Sequence, residues 1–110
     1  MEVTQVIEAS IVKLEINGEL DASTTIEMDT VLKTLLEAGS VNIIFDCTNL
    51  SYISSAGVGV FISFVDDFKD KGGNFGFYNM QENVHQVFTM LGLDGILSIV
   101  AREEEAKAMF

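Results

Sequence analysis

The sequence predicts an α/β domain: a mixed, mostly parallel sheet of four to five strands, with an antiparallel strand pair at the N-terminus and about four helices. Three observations carry this expectation. Val12, Leu14 and Ile16 alternate with Lys13 and Glu15, the period of a strand with one wet face. Val41 to Phe45 is apolar without alternation, as in a parallel strand covered on both faces. Between such segments lie stretches with apolar residues at helical spacing, so strands and helices take turns along the chain, as in layered α/β folds.

Val3 to Ile7 and Ile11 to Ile16 pair as a hairpin joined at Glu8-Ala9-Ser10. After Asn17-Gly18 and Glu19-Leu20-Asp21, the residues Met28, Val31, Leu32, Leu35 and Ala38 mark the inner face of a helix that stops at Gly39. Asp21 and Ser23 compete for its N-cap, and Thr24 with Glu27 has the spacing of a capping box. Val41 to Phe45 is expected to be a central strand. The polar hinge Cys47-Thr48-Asn49 follows, and a second helix opens at Ser54-Ser55-Ala56-Gly57. Its inner face is Val58, Phe61, Phe64, Val65 and Phe68, and it ends at Lys71-Gly72-Gly73. At about 100° per residue, Ser55, Gly59, Ile62, Ser63, Asp66 and Asp70 line its outer side. Small side chains around one exposed isoleucine suit a docking surface. Asn74 to Tyr78 is a further strand. A helix from Asn83 turns Val84, Val87, Phe88 and Leu91 inward and stops at Gly92, Ile96 to Val100 is the last strand, and Arg102 to Phe110 is a terminal helix with a Glu103 to Lys107 pair. Right-handed crossovers between strands added side by side would put every connecting helix on one face of the sheet.

With 110 residues and 48% hydrophobic content, residues 1–110 make one domain with a real core. A net charge of −11 argues against nucleic acid and anionic membrane surfaces as partners and favours a basic docking face. The single Cys47 excludes an internal disulfide. No segment reads as a membrane span, and MEVTQVIEAS lacks the regions of a signal peptide, so a cytoplasmic protein is expected.

Enzymatic constellations are thin. Gly57-Val58-Gly59 lacks the third glycine and the lysine of nucleotide fingerprints and reads as helix packing, and Gly72-Gly73 precedes a strand and reads as a turn. His85 stands alone, without visible partners for a metal site or a triad. Cys47, at the C-terminal end of a central strand, has no base or second cysteine and adjoins Asp46. Asp21 and Asp46 both lie near strand ends and could pair for acid-base work or Mg²⁺, although a cap and a strand-end turn account for them as well. No catalytic residue, metal or cofactor is expected. The two serines at the second helix are natural N-caps, and that helix start is also a place where added phosphate is welcome.

The segment LSYISSAGVGVF, preceded by VNIIFD and by INGELDAST, resembles the STAS domain of bacterial anti-sigma factor antagonists. The likeness continues through GGNF and VFTMLGLDGIL and so runs in order along essentially the whole chain. It implies a non-enzymatic regulator that binds an anti-sigma factor with serine kinase activity, releases the sigma factor for transcription, and lets go when phosphorylated. A phosphatase of the PP2C type resets it. Carried over by motif, the phosphoacceptor is Ser55, with Ser54 as a rival, because Ser54 and Ala56 stand where one common form of the motif has an aspartate and a serine or threonine. Motif positions Asp21, Ser54, Ser55, Ala56 and Gly57, with the outer stripe Gly59, Ile62, Ser63 and Asp66, make up the expected partner-binding surface. The alternative is a STAS scaffold or transporter-associated regulatory subunit without a phosphoswitch.

Overall fold

In the computed structural model, which describes residues 1–110, β1 (Glu2–Glu8) and β2 (Ile11–Leu20) form the antiparallel hairpin, in register from Glu2 opposite Asn17 to Glu8 opposite Ile11. Ala9 takes the turn with φ of 54°, a left-handed conformation. β2 runs further than its alternating residues suggest. From Gly18 to Leu20 it pairs in parallel with β4 (Leu50–Ile53), with a register shift between Gly18 and Glu19. That short strand raises the sheet to six strands, above the four to five expected. Leu50 and Ile53 are buried while Ser51 and Tyr52 are exposed, so β4 lacks the period of two that would have marked it.

The rest of the sheet is parallel. β2, β3 (Asn42–Asp46), β5 (Asn74–Tyr78) and β6 (Ser98–Val100) lie side by side, with β3 central as expected. Helices α1 (Thr25–Glu37), α2 (Ser55–Asp70) and α3 (Glu82–Met90) share one face, because Met28, Leu32, Val58, Phe61, Val84 and Phe88 all join a single core with Leu14, Ile43, Phe45 and Phe77. The crossover rule accounts for this placement. Phe45 and Phe77 stack at 4.5 Å and Phe61 of α2 meets both rings at 5.0 Å, which fixes α2 over the middle of the sheet.

The other face carries Lys13 and Glu15 together with buried Ile44 and Tyr78. The short α4 (Glu103–Lys107) covers part of it with Ala106. Gly76 makes room for the chain just past that helix, since a Cβ there would lie 2.8 Å from Met109 Sδ. The expected Glu103 to Lys107 pair forms at 2.7 Å, and Lys107 also bonds Glu8.

Several expectations need correction. No side chain caps α1: Thr24 holds the N-cap position without a cap bond, and its hydroxyl instead accepts from the Asp21 amide and donates to the Glu19 carbonyl. Asp21 accepts from the amide and hydroxyl of Ser23, so it closes its own turn. Ala38 and Leu91 are exposed, because each falls at the last turn of a helix where the chain leaves the sheet.

Candidate functional site

The mouth of α2 is built by β4. The Ser54 amide donates to the Leu20 carbonyl at 3.0 Å, which extends the β2–β4 pairing up to the helix start. Ser54 then adopts an extended conformation (φ −96°, ψ 169°), and its hydroxyl oxygen accepts from the Gly57 amide at 3.2 Å. This is an N-cap in full. An aspartate at the same place would perform the same capping, so the departure from the common motif preserves the local structure.

Ser55 is the first helical residue. It is exposed, and its hydroxyl is engaged by no other group of the protein. Its amide and that of Ala56 lie in the turn where helical donors lack an i−4 acceptor, at the positive end of a 16-residue helix. The two serines, equivalent by composition, therefore differ in kind: one is part of the scaffold and the other is presented.

The sequence-derived surface is brought together with one exception. Ala56, Gly59, Ile62, Ser63 and Asp66 are all exposed along α2 beyond Ser55. Asp21 follows Leu20, whose carbonyl receives the Ser54 amide, so its loop abuts the helix mouth. The Ser23 hydroxyl and amide hold its carboxyl below the usual aspartate range. Gly57 is the exception. It is buried, and a Cβ there would lie 2.6 Å from the Leu20 carbonyl oxygen, so it serves the close approach of α2 to β2 and not the surface.

Two features escaped the sequence reading. Thr25, Ile26 and Asp29 of α1 line a shallow groove with Ala56, Gly59 and Ser63 of α2. The signal was an isoleucine out of phase with the inner face of α1. A clamp of amide side chains also holds the hinge and β4: Gln81 donates to the Thr48 carbonyl at 3.0 Å, and Asn83 to the Ser51 carbonyl at 2.9 Å. Gln81 and Asn83 sit at the N-terminus of α3, off its apolar face, and carry no periodic signal.

The enzymatic candidates fare differently. Cys47 is buried, and burial with the neighbouring Asp46 charge pushes its thiol well above the ordinary range, so no thiolate is at hand. Asp46 accepts from the amide and hydroxyl of Thr48 and is tied into its own turn, as Asp21 is into another. His85 is exposed on α3, and no group of three or more His, Cys, Asp or Glu is placed to hold a metal ion.

A family model, the STAS domain, matches residues 2–106. The chain belongs to the STAS domain family. Among curated relatives, the anti-sigma-B factor antagonist of Bacillus subtilis is 29% identical over 93 residues, 84% of this chain and 84% of its own. Among solved structures, a candidate anti-sigma factor antagonist from Thermotoga maritima superposes with a TM-score of 0.91 at 24% identity, covering 97% of this chain and 92% of that one. The Bacillus cell fate determinant SpoIIAA in its phosphorylated form gives 0.74 at 21% identity, over 99% of this chain and 100% of that one. At such identities the structural likenesses speak for the fold. The STAS resemblance stands on the family match, and the mixed sheet agrees with these structural likenesses.

Proposed function

We propose that this protein binds an anti-sigma factor with serine kinase activity through the mouth of α2 while unphosphorylated, and that phosphorylation of Ser55 ends the interaction. A PP2C-type phosphatase then restores the binding form. One observation carries this reading: Ser54 spends its hydroxyl on the Gly57 amide, while the neighbouring Ser55 hydroxyl is exposed and unengaged. A kinase needs a hydroxyl that can reach its nucleotide, and Ser55 offers one.

The physics of the switch follows from the site. Phosphate adds about −1.5 to −2 charges. In the free protein these sit beside unpaired amides at a helix N-terminus, where negative charge is favoured. Against a partner the sign reverses. Dehydrating the dianion in a close-packed interface costs several kcal/mol, and each ~1.4 kcal/mol lowers affinity tenfold.

The test is incubation with the cognate anti-sigma kinase and ATP, followed by fragment mass spectrometry of the wild type, Ser54→Ala and Ser55→Ala. The expected result is one phosphate on Ser55 in the first two proteins and none in the third. Phosphate on Ser54 of the wild type would overturn the assignment. Binding without any phosphate uptake would favour a scaffold lacking the switch.

A further inference from the structure

We infer that α1 forms a second wall of the docking surface, and that the α1–α2 groove receives an aliphatic side chain from a segment of the anti-sigma factor that also carries arginine or lysine. The inference rests on the reading above and names the chemistry of that partner's contact.

The first observation is Ile26, 76% exposed on α1 and off the face that buries Met28, Leu32 and Leu35. It faces the groove it shares with Ala56, Gly59 and Ser63, and Ile62 is exposed on the same side of α2. The second is Gly59. Glycine inside a helix is unfavourable, and it is normally retained where a side chain would collide or φ is positive. Neither reason holds here: Gly59 has no positive φ, and a Cβ built on it would meet nothing within 4 Å. Its neighbour Gly57 shows the contrast, since a Cβ there would strike Leu20. The space above Gly59 is kept open toward the outside of the molecule, as the floor of a groove must be.

The third observation is charge. Every ion pair in the protein lies elsewhere, joining Lys13, Lys107 and Arg102 to Glu8, Glu103, Glu104 and Glu105. Asp29 in the groove and Asp66 on α2 have no cation within bridging distance. The complement of this face is therefore apolar at the centre and basic at the rim. A second copy of the chain would bring the same acids against themselves, at a net charge of −11 each.

The experiment titrates the cognate anti-sigma kinase against the unphosphorylated wild type, Ile26→Ala, Gly59→Ala, Asp29→Lys, Ser55→Asp and the control Met90→Ala, whose side chain is 84% exposed on α3. Thermal melts and sedimentation of each protein alone accompany it. The expected result is at least tenfold weaker binding by Ile26→Ala and Gly59→Ala, with a raised melting temperature in Gly59→Ala, a loss that misfolding cannot explain. Asp29→Lys weakens binding and flattens its salt dependence, while Met90→Ala binds as wild type. Wild-type binding by Ile26→Ala and Gly59→Ala beside weak binding by Ser55→Asp overturns the groove and leaves the switch standing. Loss in the groove variants with full binding by Ser55→Asp supports the groove and removes the switch. A dimer that dissociates in Ile26→Ala, with unchanged kinase affinity, overturns the inference in favour of self-association.

Discussion

Ser54→Ala deletes the acceptor of the Gly57 amide, and loss of an N-cap costs about 1 kcal/mol of stability. Ser54→Asp keeps an acceptor at that place and should melt close to wild type, so thermal denaturation of the pair checks the capping role. The two glycines of the next turn are predicted to respond with opposite sign. Gly57→Ala drives a Cβ to 2.6 Å from backbone and should cost about 1–3 kcal/mol, the range for overpacking a filled interior. Gly59→Ala should gain about 0.5–1 kcal/mol, because open space surrounds it and the helix prefers alanine. Denaturant midpoints at an unchanged slope would establish both, and destabilisation by Gly59→Ala would contradict the open floor. At this scale the sequence pointed to the mouth of α2 but could not sort its residues. Ser54 and Ser55 are equally good caps by type, and only the extended backbone at Ser54 separates them. Gly57 stood among the expected surface positions, yet it packs against Leu20 of β2 and Ile53 of β4, a strand the sequence did not mark.

Among the elements, those with a regular apolar period were legible and those held by polar or irregular contacts were not. α2 and β5 fall where Val58, Phe61, Val65 and Phe68 and the run Asn74 to Tyr78 placed them. β4 was missed because it is short, lacks an alternating pattern and pairs with β2 across a register shift, and Leu91 was misassigned because the helical period continues in sequence after α3 has ended. α4 is the shortest of the four α-helices. It has five residues, far fewer than an isolated helix needs, and is held by Ala106 together with Lys107 bridging Glu8 and Glu103. The Lys107 hydrogen bonds hold the carboxyls of Glu8 and Glu103 below the usual glutamate range, and those of Glu103 and Glu8 hold Lys107 above the usual lysine range. Lowered carboxyls stabilise above the ordinary glutamate pKa of about 4.3 and lose that effect as pH falls through their depressed values. The raised lysine stabilises at neutral pH and loses its effect only above the ordinary value of about 10.4. α4 should thus stay docked across neutral pH and open on acidification ahead of the core. Amide exchange at Ala106, compared between pH 7 and acid, would register this opening, and protection equal to that of α2 throughout would contradict it.

For the whole molecule, the parallel order of β2, β3, β5 and β6 and the shared face of α1, α2 and α3 were legible, since right-handed crossovers leave few alternatives. The partial cover of the opposite face was not, because it depends on Gly76 and a short charged helix. The domain joins a rigid aromatic core, in which Phe61 of α2 locks onto Phe45 and Phe77, to an exposed hydroxyl at the same helix's end. On the proposed reading a phosphate on Ser55 would lie outside that core and would change the charge of a fixed surface. The most direct measurement is calorimetric titration of the cognate anti-sigma kinase with this protein unphosphorylated and with it phosphorylated on Ser55. The account predicts affinity at least a hundredfold lower for the phosphorylated form, and equal affinity for the two would contradict it.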